Sequence, residues 1–115
     1  MTDLAFTPAS ELLPLLRRLE LSPVELVEAV LARIERFEPR LNAFITVCGE
    51  EARAAAREAE KALLRGEPLG PLCGVPFSVK DLLDTKGVRT TFGSVIFKDN
   101  VPKKDAVAVG RLTFP

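Results

Sequence analysis

The sequence contains no histidine, tyrosine, tryptophan or glutamine, and only two cysteines. Without histidine, Ser-His-Asp and Cys-His mechanisms are excluded. With tyrosine absent too, the candidates for any general base this segment supplies reduce to lysine, aspartate and glutamate. Cys48 and Cys73 lie far apart with no histidine to join them, so neither a zinc site nor a disulfide framework is suggested, and two buried, inert thiols is the expectation. No apolar run approaches the ~20 residues that cross a bilayer, which gives an expectation of no membrane partner. Met1 to Ser10 lacks the basic-then-apolar pattern of a signal peptide, so a cytoplasmic location is expected. An excess of one charge is also lacking: 16 basic residues balance 16 acidic ones. No long-range field would gather nucleic acid, anionic lipid or an acidic substrate, and direct nucleic-acid binding is not indicated.

What is present suits a folded globule. The chain is 47% hydrophobic and 28% charged, and its 115 residues fit a single domain with a real core. Leu12, Leu13, Leu15, Leu16 and Leu19 have helical spacing behind caps at Thr7 or Ser10, with Pro14 set to interrupt any helix that starts at Thr7. Ser22, Pro23 and Glu25 form a capping box, with Leu21 and Leu26 as a hydrophobic staple. Leu26, Val27, Val30, Leu31, Ile34 and Phe37 then mark the core face of a helix expected to end near Glu38, before Pro39.

Leu41 to Val47 alternates as a strand would. A second long helix is expected from about Glu50 to Arg65, with an alanine-rich stripe that permits close approach to a neighbour and Gly66 to end it. Glu67 to Gly74 reads as a loop, and Val75 to Lys80 as a second strand with Pro76, Ser78 and Lys80 on its polar side. Lys86 and Gly87 mark a turn, and the small residues from Thr90 to Ser94 suit close backbone approach. Asp105 is a candidate cap for a last short helix over Ala106, Val107, Val109 and Leu112, which Thr113, Phe114 and Pro115 then stop.

Lys80 alone would read as a solvated surface group. Its context is more specific. The run Gly70-Pro71-Leu72-Cys73-Gly74-Val75-Pro76-Phe77-Ser78-Val79-Lys80-Asp81, followed by Gly87-Val88-Arg89-Thr90-Thr91-Phe92-Gly93-Ser94, resembles the amidase signature family. The likeness extends through Leu21-Ser22-Pro23-Val24-Glu25-Leu26, Leu41-Asn42-Ala43-Phe44, Val101-Pro102, Asp105-Ala106 and Arg111-Leu112, and so covers most of the chain.

The resemblance implies an α/β fold, here the amino-terminal part of an α/β/α arrangement around a mixed sheet, with helices first and then alternating strands and helices. It implies hydrolysis of a small-molecule amide by a Ser-cisSer-Lys triad, with Lys80 as the triad lysine and no cofactor or metal. The two serines of that triad belong to a glycine- and serine-rich stretch that these 115 residues do not contain. Ser78 and Ser94 lack the neighbouring glycines of an oxyanion hole and are not expected to replace them. Asp81 would point away from Lys80 on an ideal strand, and its expected role is structural. Lys98, Lys103 and Lys104 alternate with Asp99 and Asp105, as in a solvated turn.

The expectation is therefore a single incomplete amidase-family domain over residues 1–115, ending inside a helix and inactive alone. Its parent is either a stand-alone amidase or a glutamine-hydrolysing subunit of a tRNA amidotransferase. The alternative is a non-catalytic interaction module that self-associates or docks on a partner chain through an exposed sheet edge.

Overall fold

The computed structural model describes residues 3–113, and the expected helix stop at Phe114 and Pro115 lies outside them. Among the described residues there are four α-helices: α1 (Ala9–Arg17), α2 (Pro23–Leu41), α3 (Gly49–Leu64) and α4 (Val107–Thr113). Single 3-10 turns occur at Leu4–Phe6 and Val95–Phe97. The chain divides into two compact units, Met1–Pro76 and Phe77–Pro115.

In the first unit, α1 begins after Pro8, whose carbonyl accepts the N–H groups of Glu11 and Leu12, rather than on a Thr7 or Ser10 cap. The Thr7 hydroxyl is engaged elsewhere, donating to the Asp3 carbonyl at 3.1 Å. Pro14 sits inside α1 without ending it. It removes one N–H from the ladder, and Leu12 and Leu16 on the buried face hold the helix in place. α1 ends in a Schellman motif: Leu19 N–H bonds the Leu16 carbonyl and Glu20 N–H bonds the Leu15 carbonyl. The left-handed position of that motif holds Leu19, at φ 60°, where glycine is usual.

Ser22 caps α2 as expected, its Oγ accepting from Val24 N at 3.0 Å and Glu25 N at 3.5 Å, but among the described residues the Glu25 carboxylate does not return a bond to Ser22 N–H, so the capping box is only half formed. The hydroxyl proton goes to Glu60 Oε1 at 2.5 Å, which ties the start of α2 to α3. Leu21 and Leu26, the two residues of the staple, are both buried in one cluster with Leu12 and Leu16. Leu4, Leu15, Leu63 and Val75 pack against this cluster.

α2 runs three residues past its expected end near Glu38 with Pro39 inside it, although proline has no N–H to give the Glu35 carbonyl and its ring crowds that carbonyl. The helix closes on Asn42, at φ 48° and ψ 44°, whose N–H bonds the Glu38 carbonyl. α3 packs on α2 and buries Ala56, and Arg53 of α3 grips Glu28 of α2 through Nε–Oε1 at 2.7 Å and Nη2–Oε2 at 3.4 Å. Gly66, at φ 66°, ends α3 as the sequence predicts. Gly74 combines a φ of 90° with close packing: a Cβ there would lie 3.3 Å from both Leu16 and Pro23.

The expected strands are not formed. Among the described residues there is no β-strand, only an isolated antiparallel bridge between Thr85 and Val88. Residues 41 and 42 are taken by the end of α2, the Glu38 carboxylate captures Phe44 N–H at 2.9 Å, and Ala43 to Val47 run irregular and exposed. Residues 75–80 likewise have no regular structure. Alternation sets which face a strand would present, but a ladder needs a second backbone to pair with, and no described segment supplies one. The mixed sheet expected for the α/β/α arrangement is thus not formed among the described residues.

The second unit is held mostly by turns. Val88 N–H bonds the Thr85 carbonyl across Lys86 and Gly87, with Gly87 at φ 76° as the turn requires. α4 starts at Val107, and Asp105 does not act as its expected cap. The Asp105 carboxylate instead accepts the Lys86 N–H at 2.7 Å. Ala106 N–H bonds the Asp84 carbonyl at 2.8 Å, Gly87 N–H bonds the Pro102 carbonyl at 3.0 Å, and Phe92 meets Phe97 edge to face at 5.3 Å.

Candidate active-site segment around Lys80

Lys80 lies in the irregular stretch at the start of the second unit, and its side chain is exposed. Its backbone carbonyl accepts the Leu83 N–H at 3.0 Å. Among the described residues its amine makes no hydrogen bond or ion pair, with Asp81 or with either nearby candidate serine. Ser78 is exposed, and Ser94 uses its Oγ to accept from Ile96 N at 3.3 Å, capping the Val95–Phe97 turn.

Asp81 accepts three hydrogen bonds, all from Thr91 and Phe92. Its Oδ1 accepts Thr91 N–H at 2.7 Å, its Oδ2 accepts the Thr91 hydroxyl proton, and its carbonyl accepts Phe92 N–H at 2.9 Å. The hydrogen bonds from the Thr91 side chain and backbone hold the Asp81 carboxyl below the usual range, with contributions from Gly93 N–H and the charge of Arg89. Thr91 Oγ1 in turn accepts Gly93 N–H at 3.3 Å.

Thr90 beside it is 2% exposed. Its N–H bonds the Asn100 carbonyl and its own carbonyl accepts from Asn100 Nδ2, both at 2.9 Å. The loop thus bonded contains Phe92 at φ 54° and Gly93 at φ 68°. A Cβ at Gly93 would meet nothing within 4 Å, so this glycine serves the backbone conformation and not the close approach expected from its small neighbours.

Sequence reasoning missed Thr91 and Phe92. The available signal was the Thr90-Thr91 pair just before a glycine, in the block that accompanies Val79-Lys80-Asp81. Cys48 and Cys73 are half-buried rather than buried, and burial pushes both thiols up, with the Glu51 charge adding to the effect at Cys48. Lys98, Lys103 and Lys104 are exposed. The last two line an open depression of about 390 Å³ with Asp84, Phe92, Asn100 and Pro102. Among the described residues no group of histidine, cysteine, aspartate and glutamate could hold a metal ion, and no helix is long and apolar enough to cross a membrane.

The fold of the chain is similar to those of two solved structures. One structure, of a bacterial aryl acylamidase belonging to the amidase signature enzymes family, matches with a TM-score of 0.76 at 35% identity, over 82% of this chain and 20% of that one. A second, of a vestigial protein complex that reveals the evolutionary origins of an s-triazine catabolic enzyme, matches with a TM-score of 0.87 at 35% identity, over 93% of this chain and 24% of that one. These likenesses support the α/β class expected from the sequence.

The family model described as Amidase matches residues 25–113. A glutamyl-tRNA(Gln) amidotransferase subunit of Salinispora tropica is 49% identical over 112 residues, which are 97% of this chain and 23% of that protein. The corresponding glutamyl-tRNA(Gln) amidotransferase subunit from Moorella thermoacetica is 46% identical over 110 residues, 96% of this chain and 23% of its own length. The chain belongs to the amidase family, and it spans about a quarter of the length of these relatives.

Proposed function

We propose that the chain is the lysine-bearing part of an amide hydrolase or glutamine-dependent amidotransferase of the Ser-cisSer-Lys type. In this reading residues 1–115 form a single incomplete domain of an α/β/α fold. The observation that carries it is Lys80 in the run Gly74 to Asp81, backed by the second block Gly87 to Ser94, in a chain that matches the family model over residues 25–113. No cofactor is required.

The chemistry asks one thing of Lys80. A neutral amine takes the proton of a bridging serine, which takes the proton of the nucleophilic serine as its oxygen attacks the amide carbonyl. The amine product leaves with a proton returned along the same path, and the acyl-enzyme passes to water or another acceptor. A lysine does this only where burial and neighbouring dipoles favour its neutral form. In the 115-residue chain Lys80 is exposed and the bridging and nucleophilic serines are absent, so the chain alone is expected to be inactive. The cytoplasm is the proposed compartment, in keeping with the tRNA reaction for which the relatives are named.

Two measurements test this. The purified chain should release no product from glutamine or from aryl and aliphatic amides, and turnover that disappears in Lys80→Ala would overturn the claim of inactivity. Replacing the matching segment of the aryl acylamidase with this chain should give a chimera that hydrolyses nitroacetanilide. There, Lys80→Ala should lower kcat by about 10²–10⁴-fold, and an unchanged kcat would remove Lys80 from the mechanism.

A second reading, a non-catalytic module that docks on a partner chain or on itself, draws support from the apolar side chains left in water in the second unit. Val95 is 81% exposed, Ile96 88% and Val107 72%. Light scattering on the eluted peak of a sizing column separates the readings: a well-behaved monomer that unfolds cooperatively argues against dependence on a partner.

A further inference from the structure

The Asp81–Thr91 pairing joins the two sequence blocks that define the segment, and it acts on the backbone that carries Lys80. Residues 80 and 81 are fixed through successive carbonyls, Lys80 O to Leu83 N–H at 3.0 Å and Asp81 O to Phe92 N–H at 2.9 Å. Both carboxylate oxygens of Asp81 are also engaged by Thr91. Thr91 and Thr90 are buried, whereas Lys80 is exposed, so a fixed anchor stands beside an exposed lysine.

The cost of this anchor is visible in the backbone. Phe92 is held in a left-handed conformation that bulky residues avoid. Such strain persists only where surrounding bonds over-determine it, and here Phe92 N–H, Thr91 N–H, the Thr91 hydroxyl and Gly93 N–H are all engaged. A loop needing only to turn could do so with glycine at both positions.

We infer that Asp81 is a positioning residue for Lys80: by clamping Thr91 it fixes the direction in which the lysine leaves the backbone, and so the place its amine occupies when the serines are present. This rests on the reading of Lys80 as the base. Misplacement of a reacting group by about 1 Å is enough to cost on the order of 10²-fold in rate.

The chimera with the aryl acylamidase provides the test. Asp81→Ala and Thr91→Val should each lower kcat about 10–100-fold, with KM within about twofold, and Thr91→Ser, which keeps the hydroxyl, should restore kcat to within about threefold. If Lys80→Ala abolishes turnover while Asp81→Ala leaves kcat unchanged, the positioning role is wrong and the base assignment stands. If Lys80→Ala itself remains active, the underlying reading fails first. A kcat loss that disappears on cooling to where Asp81→Ala is fully folded would reduce Asp81 to a stabilising residue and overturn the inference. In the 115-residue chain itself, Asp81→Ala should speed hydrogen exchange at the Thr91 and Phe92 amides by about tenfold or more. Unchanged exchange there would show that no clamp exists.

Discussion

In the unit Met1–Pro76 the most deeply buried side chains are Leu16 and Leu26 with Pro23, whereas in Phe77–Pro115 they are Thr90, Thr91 and Val109. The large apolar side chains of the second unit, Val95, Ile96 and Val107 among them, face water. The first unit is built as a small helical domain is built, by covering leucines with leucines. The second is built from hydrogen bonds that fix individual backbone positions, with its apolar surface uncovered. The contrast teaches where each kind of information lies: one unit carries its own stabilising core, and the other carries a shaped segment around Lys80.

The contrast breaks most sharply at Leu16, which has no exposed surface. Leu16→Ala should destabilise the chain by about 2–5 kcal/mol, read from the denaturant midpoint. A loss below about 1 kcal/mol would mean the leucine cluster is not the main source of stability. At Leu19, 54% exposed and held at φ 60°, glycine should do better than leucine. Leu19→Gly should raise stability by roughly 1 kcal/mol in a thermal melt, since the left-handed conformation costs an L-residue about that much.

The second unit should respond to acid in a way the leucine cluster does not. The Asp81 carboxyl is held below its ordinary value of 3.8, so its contribution is complete well above that pH. It erodes as the pH falls below 3.8 and is gone once the pH has passed the depressed folded value. Amide exchange at Thr91 should rise over this window in the native chain and lose that step in Asp81→Asn. The smallest effect belongs to Ile96, 88% exposed. Ile96→Ser should change stability by no more than about 0.5 kcal/mol in a denaturant titration.

Much of the first unit was legible in the sequence. Ser22 and Pro23 open α2, Leu21 and Leu26 form its staple, and Gly66 closes α3, because each is a local rule acting within a few residues. The misreadings were of two kinds. Pro14 and Pro39 are tolerated inside helices because the rest of each helix is held by packing or by its cap. Leu41 to Val47 and Val75 to Lys80 alternate as strands do, yet no described backbone lies beside them to complete a ladder. The Lys80 segment was legible as a pattern of residues but not as a geometry, since the partner of Asp81 stands ten residues away.

By itself the sequence determined the helix opened by a strong cap and membership of the amidase family through its ordered blocks around Lys80. Tertiary structure alone decided that Asp81 bonds Thr91, that Asp105 bonds Lys86 rather than capping α4, and that the alternating segments stay unpaired. Caps and periodicity act between near neighbours and can be read along the chain. A carboxylate's choice among distant N–H groups, and a strand's need for a second strand, are settled only when the backbone folds back on itself.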